Sequence, residues 1–313
     1  MLLLTKHNAN MPFNQLYFNS TRVLLICLML IFSSTHLSAA KKSNQQVDYS
    51  LVAYNFGSLG KLDPLDQIAI LKSTGYKGLI LNSQTKEDSV NLSIFIHELR
   101  NDTQFNIHAL MVRYNFTDAL QKRESWKIWV DKIARKNIEM WLIFGKKAEG
   151  ITDSFIETKL KEIVDYAKTK NVSVILYPHS TCYIASAEEA LPFVKKVNSP
   201  NLKLAVHLCH EIRAGNGNRL NEVFEHVKSY IGAVTLAGTD SVADFSKPFM
   251  MDKSTIKPIG QGNFNMQHFI QPLKNSGYKG KIGFINFKIE DDPKTYLENS
   301  MRVWKSLIRR KII

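Results

Sequence analysis

The residues able to do chemistry gather between Val172 and Asp240. Tyr177-Pro178-His179 follows the apolar run 172–176, and His207-Leu208-Cys209-His210 follows a second run, 202–206. Imidazole changes charge near neutral pH and is the commonest ligand of transition metals. Three of them in two short segments, each just past a predicted strand, are candidates for proton transfer or for holding an ion. His179 and His210 are the candidate acid and base, and His179, His207 and His210 the candidate metal ligands. These segments carry no carboxylate, so a hard, oxygen-seeking ion such as Mg²⁺ has little to hold it. One divalent ion of Zn²⁺ or Mn²⁺ type, with a position left open for water or a substrate hydroxyl, is one reading of the three rings. The other is a site without metal, in which they hydrogen-bond a ligand or one another.

A third predicted strand, 233–236, ends in Ala237-Gly238-Thr239-Asp240. If the three run parallel with helices between them, their polar residues all lie at the C-terminal end, where loops vary freely while the strands hold them in register. Other predicted strands bring Tyr54, Asn82 and Arg113 to the same rim, and these with Tyr177 and Asp240 are the candidate substrate-binding residues. Lys288, past the last strand, is a third catalytic candidate if burial lowers its pKa, and otherwise a surface lysine. His108 begins a strand and is expected to lie too deep to act. Trp126, Trp129 and Trp141 fall at core spacing.

The elements that must position these residues alternate with little interruption. Strands are predicted over 51–56, 79–81, 107–112, 140–144, 172–176, 202–206, 233–236 and 282–286. Helices are predicted over 63–73, 88–100, 121–136, 155–170, 185–195, 219–230, 264–275 and 294–308, the first with Asp63 as N-cap and Pro64 at the first helical position. Eight βα units of about 30 residues make a single (β/α)8 barrel over 50–313. An open doubly wound sheet is the other architecture, but Gly57-Ser58-Leu59-Gly60 is not its phosphate-binding glycine fingerprint.

Composition fits a large apolar core: 313 residues, 44% hydrophobic, with formal net charge +13. The positive charge is spread, as in Lys159, Lys161, Lys168 and Lys170 with acidic residues between, which is the pattern of a solvated helix face. Only Arg309-Arg310-Lys311 forms a compact run. Near the N-terminus Arg22 precedes an apolar run over 23–32, and Ser38-Ala39-Ala40 follows with small residues. Such a run is too short to span a bilayer, which needs about 20 residues, and it reads as a signal peptide over 1–40 with a linker over 41–49. Export to the periplasm or beyond is the expectation, with no stable membrane span after cleavage and a retained anchor as the alternative. Cleavage leaves Cys182 and Cys209, which are expected as two free, partly buried thiols, a bridge between them being the other arrangement.

Several phrases resemble the xylose isomerase-like family of TIM barrels. They are 174–179 (VILYPH), Asn198-Ser199-Pro200-Asn201-Leu202, Leu208-Cys209-His210, 259–264 (IGQGNF) and Gly277-Tyr278-Lys279-Gly280. The resemblance implies the (β/α)8 fold and, in metal-using members, a divalent ion held by Glu, Asp, His and Glu after strands five to eight. The corresponding positions here are Tyr177, His207, Thr235 and one of Asn286, Phe287 or Lys288. All four depart from the pattern. The resemblance further implies an enzyme of sugar isomerase or epimerase type, or a related keto-sugar lyase or dehydratase, acting on a small carbohydrate by proton transfer next to a carbonyl, and the N-terminal segment adds the expectation that it is exported. The alternative is a non-catalytic periplasmic sugar-binding or accessory barrel that lost its metal site. The family's apurinic endonucleases need three zinc ions and many more ligands, so no nucleic-acid partner is expected. The sequence does not set the oligomeric state.

Overall fold

The computed structural model describes residues 49–309 apart from 248. The expected signal peptide, all of the linker but Tyr49, and the end of the C-terminal basic run lie outside these residues. Eight parallel strands pair in chain order and close on themselves, β1 Leu51–Tyr54, β2 Gly78–Asn82, β3 Asn106–Tyr114, β4 Glu139–Phe144, β5 Val174–Leu176, β6 Leu202–His207, β7 Ile231–Leu236 and β8 Ile282–Phe284. The seam is β1 against β8, with Leu51 opposite Ile282 and Ala53 opposite Phe284. The barrel expected from the sequence is therefore observed, and an open sheet is excluded.

Helices fill the connections: α1 Pro64–Ser73, α2 Lys86–Leu99, α3 Leu120–Arg123, α4 Trp126–Ile133, α5 Asp153–Thr169, α6 Ala187–Val197, α7 Leu208–Arg213, α8 Leu220–Val227, α9 Gln267–Asn275 and α10 Pro293–Arg309. Each longer helix turns an apolar stripe toward the strands, as with Trp126, Trp129, Val130 and Ile133 on α4. Thr85, Thr152 and Ser186 cap α2, α5 and α6 by accepting a backbone N–H in the first turn. Asp63 stands at the N-cap of α1 but makes no side-chain cap bond, so Pro64 marks that start alone. Among the described residues no helix is long and apolar enough to cross a membrane.

Two differences from the predicted elements bear on function. The helix expected over 121–136 is broken into α3 and α4 around Glu124 and Ser125, with Glu124 turned back to accept from Trp126 Nε1 at 3.2 Å. More consequentially, the chain does not loop after β6 but turns at once into α7. That turn places Cys209 and His210 in a buried helical turn directly over the end of the strand, with His207 as its N-cap.

Candidate functional site

The interior of the barrel ends in a hydroxyl layer. Tyr54 of β1 and Tyr177, just past β5, put their phenol oxygens 2.8 Å apart, and Tyr177 Oη lies 3.2 Å from Thr235 Oγ1 of β7. These strands are not neighbours, so the contacts cross the lumen. Trp141 of β4 stacks on Tyr177, with centroids 5.5 Å apart and planes 17° from parallel, and meets the Tyr54 ring edge-on at 6.0 Å. All four side chains are buried. Burial pushes the Tyr54 and Tyr177 hydroxyls well above the usual phenol range, so both stay protonated. As substrate-binding candidates these two tyrosines are corrected: their hydroxyls are spent on each other and on Thr235, beneath the surface a solute could reach.

Above this layer the imidazoles converge. His207 closes β6, His210 lies in α7 and His179 follows β5, and the His210 ring is 4.2 Å from that of His207 and 4.1 Å from that of His179. His207 and His210 are only 1% and 2% exposed, whereas His179 is half-buried. Burial, and next the positive neighbours Arg113 and Arg213, lowers the His179 pKa to about 3. Burial holds those of His207 and His210 well below the usual imidazole range. All three rings are thus uncharged at neutral pH, the state in which imidazole accepts a proton or ligates a metal.

Cys209 completes the cluster, its Sγ 3.6 Å from both His207 Nε2 and His210 Nδ1. The ligand atoms of His207, Cys209 and His210 all lie within 4.8 Å of one another. His179 stands beside this group, its Nδ1 3.0 Å from Thr181 Oγ1. Cys182 and Cys209 are both free and buried, as expected.

The rim is cationic and aromatic. Arg113 is half-buried and donates to Cys182 Sγ at 3.1 Å, and the Cys182 amide donates to the His179 carbonyl at 2.8 Å, which fixes the arginine beside His179. Phe249 packs on His179 at 5.1 Å and on His210 at 6.0 Å, then stacks against Phe287, itself edge-on to Phe56. The segment carrying Phe249 is pinned by a buried salt bridge between Arg213 of α7 and Asp252, while the Arg213 guanidinium lies 5.1 Å over the Phe249 ring. The imidazoles therefore face one another as the spacing predicted, but two of them lie under an aromatic cover.

The remaining candidates take other places. Asn82 is half-buried, and its Oδ1 accepts from Gln84 Nε2 at 3.1 Å. Asp240 accepts from Lys257 Nζ at 2.6 Å and from the Asn263 amide at 3.1 Å, so its carboxylate holds the loop after β7 together. Lys288 is exposed, with Nζ 5.8 Å from the centre of the Phe287 ring, and the burial that a catalytic role required is absent. His108 lies low on β3 against Trp141, too deep to act, as its position predicted.

The carboxylate-held ion that the resemblance implies does not fit these residues. Tyr177 and Thr235 bond each other, and Asn286 Nδ2 donates to Phe56 O and Tyr296 Oη. Neutral hydroxyls and an amide, already committed, offer a hard cation no charge to bind.

The chain matches the family model described as "Xylose isomerase-like TIM barrel" over residues 95–307. It belongs to that family. No curated protein matches the chain. Among solved structures this family member resembles the IOLI protein with a binding zinc atom, at 17% identity and TM-score 0.64, covering 82% of this chain and 96% of that one. The probable 3-DHS dehydratase AsbF from Bacillus anthracis aligns at 13% identity and TM-score 0.64, covering 82% and 98%. A D-allulose 3-epimerase from Methylomonas sp. aligns at 14% identity and TM-score 0.63, covering 82% and 97%. At these identities the likeness is one of fold.

Sequence reasoning missed Trp141 as an interior platform, and Cys209 as a partner of the histidines. The signal for the cysteine was present in His-Leu-Cys-His, where it falls between two imidazoles. For Arg213 and Asp252, 39 positions apart, no local pattern exists.

Proposed function

We propose that this barrel acts on a small carbohydrate by moving a proton at the carbon beside a carbonyl, as in isomerisation, epimerisation or elimination from a keto-sugar. We place that work outside the cytoplasm, in keeping with the leader-like N-terminus. The observation that carries the reading is the pairing of a half-buried, uncharged His179 with Arg113 at the C-terminal end of the barrel. His179 takes the proton from carbon, the electron pair moves to the carbonyl oxygen, and the Arg113 guanidinium steadies the enediolate. Protonation places a positive ring beside Arg113 and Arg213, and the negative enediolate compensates it. The proton then returns to the opposite face of the same carbon or to its neighbour, or a group leaves from the adjacent carbon. The epimerase and dehydratase among the similar folds support the reaction class.

The test is incubation of the protein with a panel of ketoses and keto-glycosides in deuterated water. Solvent deuterium enters the substrate, and His179→Asn lowers the exchange about 10²–10⁴-fold. Binding without exchange or product in any panel member would sink the enzymatic reading. It would favour the accessory barrel, a second reading supported by the commitment of Tyr177, Thr235 and Asn286 to one another and to the fold.

A further inference from the structure

We propose that His207, Cys209 and His210 form a soft-metal centre that takes one zinc-like ion through two imidazole nitrogens and a thiolate. Zinc bonds of about 2.3 Å to sulfur and about 2.05 Å to nitrogen, set at the tetrahedral angle, hold the two ligand atoms about 3.6 Å apart. Cys209 Sγ stands 3.6 Å from a nitrogen of each histidine. Both spacings fit ligands around one ion, and the three ligand atoms all lie within 4.8 Å of one another.

The burial of the His207 ring, only 1% exposed, adds to that spacing. The ring's Nε2, the nitrogen that faces the centre, meets only the Cys209 sulfur. A thiol is a weak donor, and a buried ring nitrogen without a proper partner costs about 1–3 kcal/mol. The fold therefore shapes a fully enclosed imidazole around a strong partner that no described side chain provides.

Donor chemistry selects the ion. Two imidazoles and a sulfur suit Zn²⁺ or Co²⁺, while Mg²⁺ and Mn²⁺ prefer oxygen, and the positions where a carboxylate would stand are Tyr177, His207 and one of Asn286, Phe287 or Lys288. Binding is balanced by loss of the Cys209 proton, which leaves as the thiolate–metal bond forms. Three protein ligands would leave a fourth position open, and the His179 ring lies 4.1 Å from that of His210. Ser180 Oγ, 3.2 Å from His210 Nδ1, is the hydrogen bond that the ion displaces.

The centre does not depend on the proton-transfer reading, since metal content reads one and deuterium exchange the other. Full-length chain dialysed after exposure to Zn²⁺ alone retains about one ion per chain. Loading with Co²⁺ alone gives the near-ultraviolet sulfur-to-metal charge-transfer band of a thiolate ligand. Cys209→Ser removes that band and weakens binding about tenfold or more, whereas Cys182→Ser leaves both unchanged. If Cys209→Ser does not fold, protection of Cys209 from alkylation by Zn²⁺ in the unaltered chain gives the same information. Less than about a tenth of an ion per chain, no charge-transfer band, or a band that survives Cys209→Ser or vanishes in Cys182→Ser, each overturns the proposal.

Discussion

The phenol oxygens of Tyr54 and Tyr177, 123 positions apart in sequence, meet at 2.8 Å across the barrel lumen and bridge β1 to the end of β5. Because Tyr177 also contacts Thr235, removing its hydroxyl leaves two buried polar groups short of a partner. Tyr177→Phe is expected to cost about 1–3 kcal/mol in urea unfolding. Tyr54→Phe breaks the same pair from the other side, so the double variant loses less than the sum of the two, with a coupling of about 0.5–3 kcal/mol. Strictly additive losses would show that the two hydroxyls do not act on each other.

Arg213 and Asp252 tie α7 to the segment that carries Phe249, with side chains 6% and 0% exposed. Asp252→Asn leaves the guanidinium charge buried and also weakens the carboxylate's bonds to the Ser254 and Thr255 hydroxyls. A loss of about 3–5 kcal/mol is expected, because an unpaired buried charge is far costlier than a missing pair. The same change loosens the aromatic cover, so a thiol reagent reaches Cys209 faster than in the unaltered chain at temperatures where both remain folded. An unchanged Cys209 reaction rate would mean that the bridge does not hold the cover down.

Trp141 is the platform on which Tyr177 lies, and its Nε1 donates to Glu139 Oε2 at 2.8 Å. Trp141→Ala opens a cavity in the lumen and removes a hydrogen bond from the half-buried Glu139 carboxylate, for an expected loss of about 3–5 kcal/mol. Trp129, buried on the strand-facing stripe of α4 outside the lumen, serves as the comparison. Its truncation is expected to destabilise without altering deuterium exchange into substrate, whereas that of Trp141 alters both.

The barrel was legible because its evidence is repetitive: eight apolar runs, each followed by turn residues and an amphipathic stretch, leave few other ways to bury their faces. The convergence of His179, His207 and His210 followed from the same argument, since residues just past parallel strands share one end of the barrel. The fate of Tyr54, Tyr177 and Asp240 was not legible. All three were correctly expected at strand ends, but whether a strand-end side chain faces solute or spends its polar atoms inside depends on residues across the lumen or in a distant loop. For Asp240 the deciding partner is Lys257, brought close by an antiparallel bridge between Lys257 and Gly238. The helix α7 escaped notice because all but its last residue are buried and so carry no amphipathic period.

His108 gives the pH dependence. Low on β3 it packs against Trp141, with Glu139 Oε2 3.9 Å from its Nε2 and Lys281 approaching from the residue before β8. Burial first, and then the charge of Lys281, lowers its pKa to about 3 from 6.5, so at neutral pH the contact with Glu139 is not an ion pair. An imidazole whose folded pKa is depressed contributes stability that is complete above the unfolded value. That stability is lost as pH falls from about 6.5 toward about 3, at about 1.4 kcal/mol per pH unit. Glu211, raised to about 7 by burial, has the opposite sign, losing stability as pH climbs from 4.5 to about 7, so the net slope of the whole chain does not isolate either group. The difference between the unaltered chain and His108→Gln does isolate the histidine. Between pH 7 and pH 5 the unaltered chain is expected to lose about 2 kcal/mol more than the variant in urea unfolding. Parallel pH curves would mean that His108 takes up its proton in the fold as readily as in the unfolded chain.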